Sequence, residues 1–171
     1  VTACIGPPLV VACLRGRTDI VKLLLSREPK VNVSPRVTEA SLEKYTGLGI
    51  GLTPLTAACR AGNTTIIDLL IEQSTIKLNK HDRAGWTPLT MAIHEAHWDA
   101  ASMLLKAGAD PTVSTARDSV TALHSACAHG SLAFARLLLE LGAEINAIAT
   151  VNMHLSSTQS KKLACSEQHP C

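Results

Sequence analysis

A chain of 171 residues has the length of one ordinary domain, and 46% hydrophobic residues are enough to close a core. Aromatic residues make up only 2%, so that core has to be built from Leu, Ile, Val and Ala in close contact. A formal net charge of +2, with no Lys/Arg cluster interleaved with aromatics, gives no support to nucleic-acid binding, and no apolar run reaches the length of a membrane span.

Taken in chain order, the same helical pattern returns four times. Leu9-Val10-Val11-Ala12-Cys13, Leu55-Thr56-Ala57-Ala58-Cys59, Leu89-Thr90-Met91-Ala92-Ile93 and Leu123-His124-Ser125-Ala126-Cys127 form one column, followed by Gly16, Gly62, Ala96 and Gly130. A second column runs through Ile20-Val21 and Leu23-Leu24-Leu25, Ile66-Ile67 and Leu69-Leu70-Ile71, Ala100-Ala101 and Met103-Leu104-Leu105, Phe134-Ala135 and Leu137-Leu138-Leu139. Lys22, Asp68, Ser102 and Arg136 split the second column. Apolar residues at this spacing predict two short helices per unit with one wet edge. The opening tripeptides Thr53-Pro54-Leu55, Thr87-Pro88-Leu89 and Thr121-Ala122-Leu123 recur every 34 residues, the period of a stacked repeat array.

The tripeptide has a chemical reason. Thr at the N-cap accepts a bond from an orphan backbone N–H, Pro in the first turn loses nothing by lacking its own, and Leu begins the buried stripe. Glycine then reverses the chain in the left-handed conformation, which Ala96 would adopt only with strain of roughly 1 kcal/mol. Ala96→Gly is therefore expected to stabilise the third unit.

Two segments leave the register. Some 12 extra residues fall around Val33 to Leu48 between the first and second units; Ser34-Pro35, a polar run and three glycines read as a surface loop or a short extra helical turn. This is either a neutral insertion or a partner-specific arm with Ser34 as a phosphorylation site. After Ile148 the pattern stops, and 151–171 reads as a disordered or poorly capping tail. With Val1 at the start and a first unit as apolar as an internal one, the expectation is a fragment or variant of a longer array.

These units resemble the ankyrin repeat. The family pattern of a hairpin finger with Asp and Gly, T-P-L-H-x-A-A, a glycine turn, V-x-L-L-L and G-A-x-x-N is matched best by Asn79-Lys80-His81-Asp82-Arg83-Ala84-Gly85-Trp86-Thr87-Pro88-Leu89 with Ala107-Gly108-Ala109-Asp110, and again by Leu141-Gly142-Ala143-Glu144-Ile145-Asn146. The resemblance implies an all-α ankyrin repeat solenoid of helix-turn-helix units with hairpin fingers over 1–150, its repeats at about 2–31, 48–80, 82–114 and 116–149. Departures from the pattern are Val10, Thr56 and Thr90 where the family has histidine, a finger Asp missing before the second and fourth repeats, and Pro7 and Ala122 in the tripeptide. They predict looser fingers at those places.

The resemblance also implies a function: an adaptor or scaffold that binds a partner protein through the concave face, at the fingertips and the ends of the first helices. The corresponding residues are Arg60, Arg83, Trp86, His94, Glu95, Arg117, Asp118 and His129, with Ala61, Ala84, Val120, Ala128, Leu14 and Arg15 beside them. Arg15, Arg60, Arg83 and Arg117 point to a partner with an acidic segment, and Arg and Trp are the types that dominate interface energetics. The second reading is an ankyrin region of a larger enzyme or channel, such as a ubiquitin ligase subunit or kinase, packing within or targeting its parent. Trp98 is expected to stack between repeats and Phe134 to lie in the core.

Catalysis finds no basis. His94-Glu95-Ala96-His97 spaces its histidines by three and runs into a turn, whereas a zinc protease helix needs them at i and i+4. Cys165, His169 and Cys171 lack an obvious fourth metal ligand. No cofactor, metal, small-molecule substrate or catalytic residue is expected. Cys13, Cys59 and Cys127 share one helical position and read as core thiols, while Cys4, Cys165 and Cys171 follow no pairing pattern. An intracellular, cytoplasmic setting follows, in which the sequons at Asn32 and Asn63 go unused.

Overall fold

The computed structural model describes residues 7–27 and 51–150. The inserted finger with Ser34, the sequon at Asn32, Cys4, and the tail with Cys165, His169 and Cys171 lie outside the described residues. The described part is helical: α1 (Pro8–Leu14), α2 (Thr18–Leu25), α3 (Pro54–Arg60), α4 (Thr64–Ile71), α5 (Pro88–His94), α6 (Trp98–Lys106), α7 (Ala122–Ala128) and α8 (Leu132–Glu140). Each consecutive pair packs as a helix-turn-helix, α1 on α2, α3 on α4, α5 on α6 and α7 on α8. The first helices then stack in one row, α1 on α3 on α5 on α7, and the second helices follow outside them, α2 on α4 on α6.

Helices of seven to nine residues are too short to hold themselves in water. The stack supplies what they lack. Leu9, Leu55, Leu89 and Leu123 are all buried, and Ala12, Ala58, Ala92 and Ala126 let the first helices approach. Ile66, Ile67, Leu70, Ala100, Ala101 and Leu104 close the layer between the two rows.

Caps start the first helices as the tripeptide chemistry requires. Thr53, Thr87 and Thr121 each accept the N–H three residues on, and the side chain of that third residue accepts the N–H of the cap in return, a reciprocal box. The partners are Thr56, Thr90 and His124. Asn63, one of the two sequon asparagines, is committed to the start of α4, where its Oδ1 accepts the Ile66 N–H at 3.0 Å.

The cysteine expectation needs one correction. Cys13 and Cys59 are fully buried, but Cys127 is exposed. Its column is covered in each unit by the first helix of the next one, and among the described residues no helix follows α7 and α8 in the stack. Leu132, Leu139 and Leu141 are exposed on α8 and the residue after it for the same reason, and Phe134 is half-buried rather than core. Desolvation pushes the Cys13 thiol up to about 12 and the Cys59 thiol higher still. Iodoacetamide, which reacts with thiolate, should therefore modify Cys127 more than about tenfold faster than Cys13 or Cys59 in the folded chain. Peptide mapping by mass spectrometry checks this, and equal labelling of Cys13 and Cys127 would contradict the packing.

Candidate functional site

The third finger is built around one carboxylate. Asp82 is buried, its Oδ1 accepts the Trp86 N–H at 2.9 Å, and its own N–H donates to the Trp86 carbonyl at 2.9 Å. Gly85 N–H donates to the Asp82 carbonyl at 3.1 Å and closes the tip. Burial raises the Asp82 carboxyl to about 6, against the opposing pull of the Trp86, Ala84 and Gly85 N–H groups and of neighbouring His81. Fingers join edge to edge: Arg83 N–H donates to the Gly51 carbonyl, Ala116 N–H to the Gly85 carbonyl, and His81 Nε2 to the Ser114 carbonyl at 2.8 Å.

Against this finger the predicted residues form a connected set. The Trp86 indole meets the His94 imidazole edge-on, with ring centroids 4.7 Å apart. His129 Nε2 donates to the His94 carbonyl at 2.8 Å and its ring lies edge-on to Trp98 at 5.9 Å, which in turn packs on Phe134 at 4.8 Å. Arg60 and Glu95 pair across α3 and the end of α5 at 3.7 Å, a partly exposed contact that sets direction more than stability. Arg117 reaches back to the Arg83 carbonyl at 3.4 Å. Asp118 is half-buried beside it, and its carbonyl accepts the Thr150 N–H at 2.9 Å.

His94 departs from expectation. The resemblance implies a partner-facing position at the end of a first helix, yet its ring is half-buried beneath Trp86 and its Nδ1 is buried with no hydrogen-bond partner. Desolvation lowers its pKa first of all, His129 and Arg60 push the same way and Glu95 opposes. His97, three residues on, lies past the turn with its Nε2 donating to the Arg60 carbonyl at 3.2 Å. The two rings serve different neighbours. Among the described residues no group of His, Cys, Asp and Glu is placed to hold a metal ion, and no helix is long and apolar enough to cross a membrane.

The family profile described as ankyrin repeats (3 copies) matches residues 9–115, and that described as ankyrin repeats (many copies) matches 92–139. The chain belongs to the ankyrin repeat family. It is similar to an ankyrin repeat-containing protein of Schizosaccharomyces pombe, 34% identical over 54% of this chain and 41% of that protein. It is similar as well to the ankyrin repeat protein nuc-2 of Neurospora crassa, 33% identical over 77% of this chain and 11% of nuc-2. YahD of Escherichia coli is 29% identical over 80% of this chain and 63% of its own length. The chain thus spans less than two thirds of each of these relatives.

Ankyrin geometry explains what the sequence pattern obscured. Thr56 and Thr90 stand where the family has histidine, and each does its work: Thr53 N–H donates to Thr56 Oγ1 at 2.7 Å and Thr87 N–H to Thr90 Oγ1 at 3.0 Å, as Thr121 N–H does to His124 Nδ1 at 3.2 Å. The fourth finger lacks its Asp but not its bond, because Thr115 Oγ1 accepts the Val120 N–H at 2.9 Å while the two residues also pair through their backbones. Thr115 thus ties down the fourth ankyrin finger, where a looser one is expected, while the finger before the second repeat lies outside the described residues. A hydroxyl three residues after a cap threonine was the available signal.

Proposed function

We propose that this ankyrin array binds a partner protein through its concave face, centred on Trp86, His94 and His129 and flanked by Arg60, Glu95, Arg83, Arg117 and Asp118. The observation that carries the reading is the continuity of the set. Residues from three successive units touch one another, from Arg60 through Glu95 to His94, and from there to Trp86 and His129. Behind the row, on the second helices, Trp98 packs on Phe134 and edge-on to His129 and so backs the set from the far side. Arg83 and Arg117 are exposed at its finger side, which suits a partner segment bearing Asp or Glu. An interface of standard size, about 1,600 Å² in total, has room for a few such central contacts to set the affinity.

A pull-down comparing the chain with its Arg60→Glu, Arg83→Glu, Trp86→Ala variant tests this, once circular dichroism shows equal helicity and melting. Proteins captured by the parent and lost by the variant are the expected outcome, and each should lose about a hundredfold or more in affinity when remeasured in purified form. Partners kept equally by both would move the site off the concave face. The share of its relatives' length that the chain spans supports a second reading, an ankyrin region that packs within or targets a larger parent. The full-length reading frame separates the two: a catalytic or membrane segment favours the second, further repeats alone the first.

A further inference from the structure

Among the described residues, two buried side-chain atoms have no hydrogen-bond partner, Asp82 Oδ2 and His94 Nδ1. Trp86 lies between them. Its backbone N–H is held by the other oxygen of Asp82 at 2.9 Å, and its indole rests edge-on against the His94 ring at 4.7 Å. Orphan polar atoms in a packed interior are uncommon and destabilising, and here both belong to groups whose charge changes with one proton. A buried carboxylate with a bare oxygen is relieved by taking a proton up; a buried imidazole beneath an indole is better off without one.

We propose that the finger carrying Trp86 is a proton-operated latch: with a proton on Asp82 the finger stays shut and presses Trp86 onto His94, and without it the finger loosens and frees the indole. As control of the concave face this rests on the interaction reading above, but the latch itself is a property of the free protein. The charged and titratable groups around it are His81 and Arg83 on the same finger, Arg117 from the next finger, Glu95 beside His94, His129 from the end of α7 and Arg60 from α3.

The direction of the effect follows from linkage. Asp82 in the shut finger holds its proton up to about 6, above its ordinary value of 3.8, so its contribution to the shut state is complete at low pH and is lost as pH rises through about 6. His94 works oppositely. Its pKa is lowered from 6.5, so its contribution is complete above 6.5 and falls as the ring is forced to protonate below that. The two contributions run in opposite directions in mildly acidic solution, so a test of the latch has to separate Asp82 from His94.

Amide hydrogen exchange followed by NMR on the full chain tests the proposal without any partner. From pH 5.5 to 7.5, after correction for the intrinsic rate, the protection of the Trp86 and Gly85 amides in the parent relative to Asp82→Asn should fall about fourfold. Asp82→Asn keeps an acceptor for the Trp86 N–H but cannot titrate there, and taking the ratio cancels the His94 contribution that both proteins share. A parent-to-variant ratio that stays constant, or that rises, overturns the latch. Should Asp82→Asn not fold, the carboxyl carbon shift of Asp82 in the parent decides: a midpoint near 6 supports the latch, and one near 4 refutes it. Loss of the concave-face reading in the pull-down would leave this result standing, and the reverse holds equally.

Discussion

Gly62→Ala is expected to destabilise the array by about 2–3 kcal/mol, while Ala96→Gly, the mirror change one unit on, is expected to stabilise it by about 1 kcal/mol. Both positions reverse the chain between first and second helix in the left-handed region, Gly62 at φ 65° and Ala96 at φ 59°. A methyl at Gly62 meets strain there and a collision as well. It would sit 2.6 Å from Nδ1 of His97, and moving that ring breaks its bond to the Arg60 carbonyl, worth about 1 kcal/mol more. The register makes this a contact between units: Asn63 comes within 3.1 Å of a methyl placed on Gly16, as His97 does on Gly62. Ser131 holds the equivalent place opposite Ala96. The one turn that carries a side chain is thus faced by the smallest of these residues, so removing the methyl of Ala96 relieves backbone strain without emptying a packed site. Urea titrations with unchanged m-values measure both. Equal or lower stability of Ala96→Gly would remove the strain argument.

Much of this was legible because a repeat states its pattern several times. The column of Leu9, Leu55, Leu89 and Leu123 is buried throughout, and the left-handed turn predicted at Ala96 is present. Position in a column does not fix environment, however. Cys13, Cys59 and Cys127 are one residue in the repeat, yet burial depends on whether another unit packs on that side, and for Cys127 none among the described residues does. His94 misled for a related reason: the end of a first helix is exposed until a large residue from the adjoining finger folds over it, and Trp86 does so. Nothing in the repeat spacing of His94 reveals the size of the side chain eight residues before it. Thr56 and Thr90 depart from the family histidine in name but not in role, because the cap needs only an acceptor within reach of its N–H.

That requirement yields the other large effect. Thr90→Val, nearly isosteric, should cost about 2–3 kcal/mol. It leaves the buried Thr87 N–H without the acceptor now 3.0 Å away and the Thr87 hydroxyl without its 2.8 Å partner, and an unmade bond at a buried donor costs about 1–3 kcal/mol. Thr90→His should recover most of the loss, since His124 makes the same bond through Nδ1 at 3.2 Å. The first unit supplies the control. Its cap is Pro7, with no side-chain bond in α1, and proline has neither an N–H to satisfy nor a hydroxyl to return one. Val10, buried at the position of Thr90, therefore has no acceptor role to fill, and valine there is the fitting residue. Val10→Thr should accordingly lower stability by about 1 kcal/mol by burying a hydroxyl with no partner at the cap. Chemical denaturation of the three variants orders them, and a Thr90→Val protein as stable as the parent would show that the reciprocal cap contributes nothing.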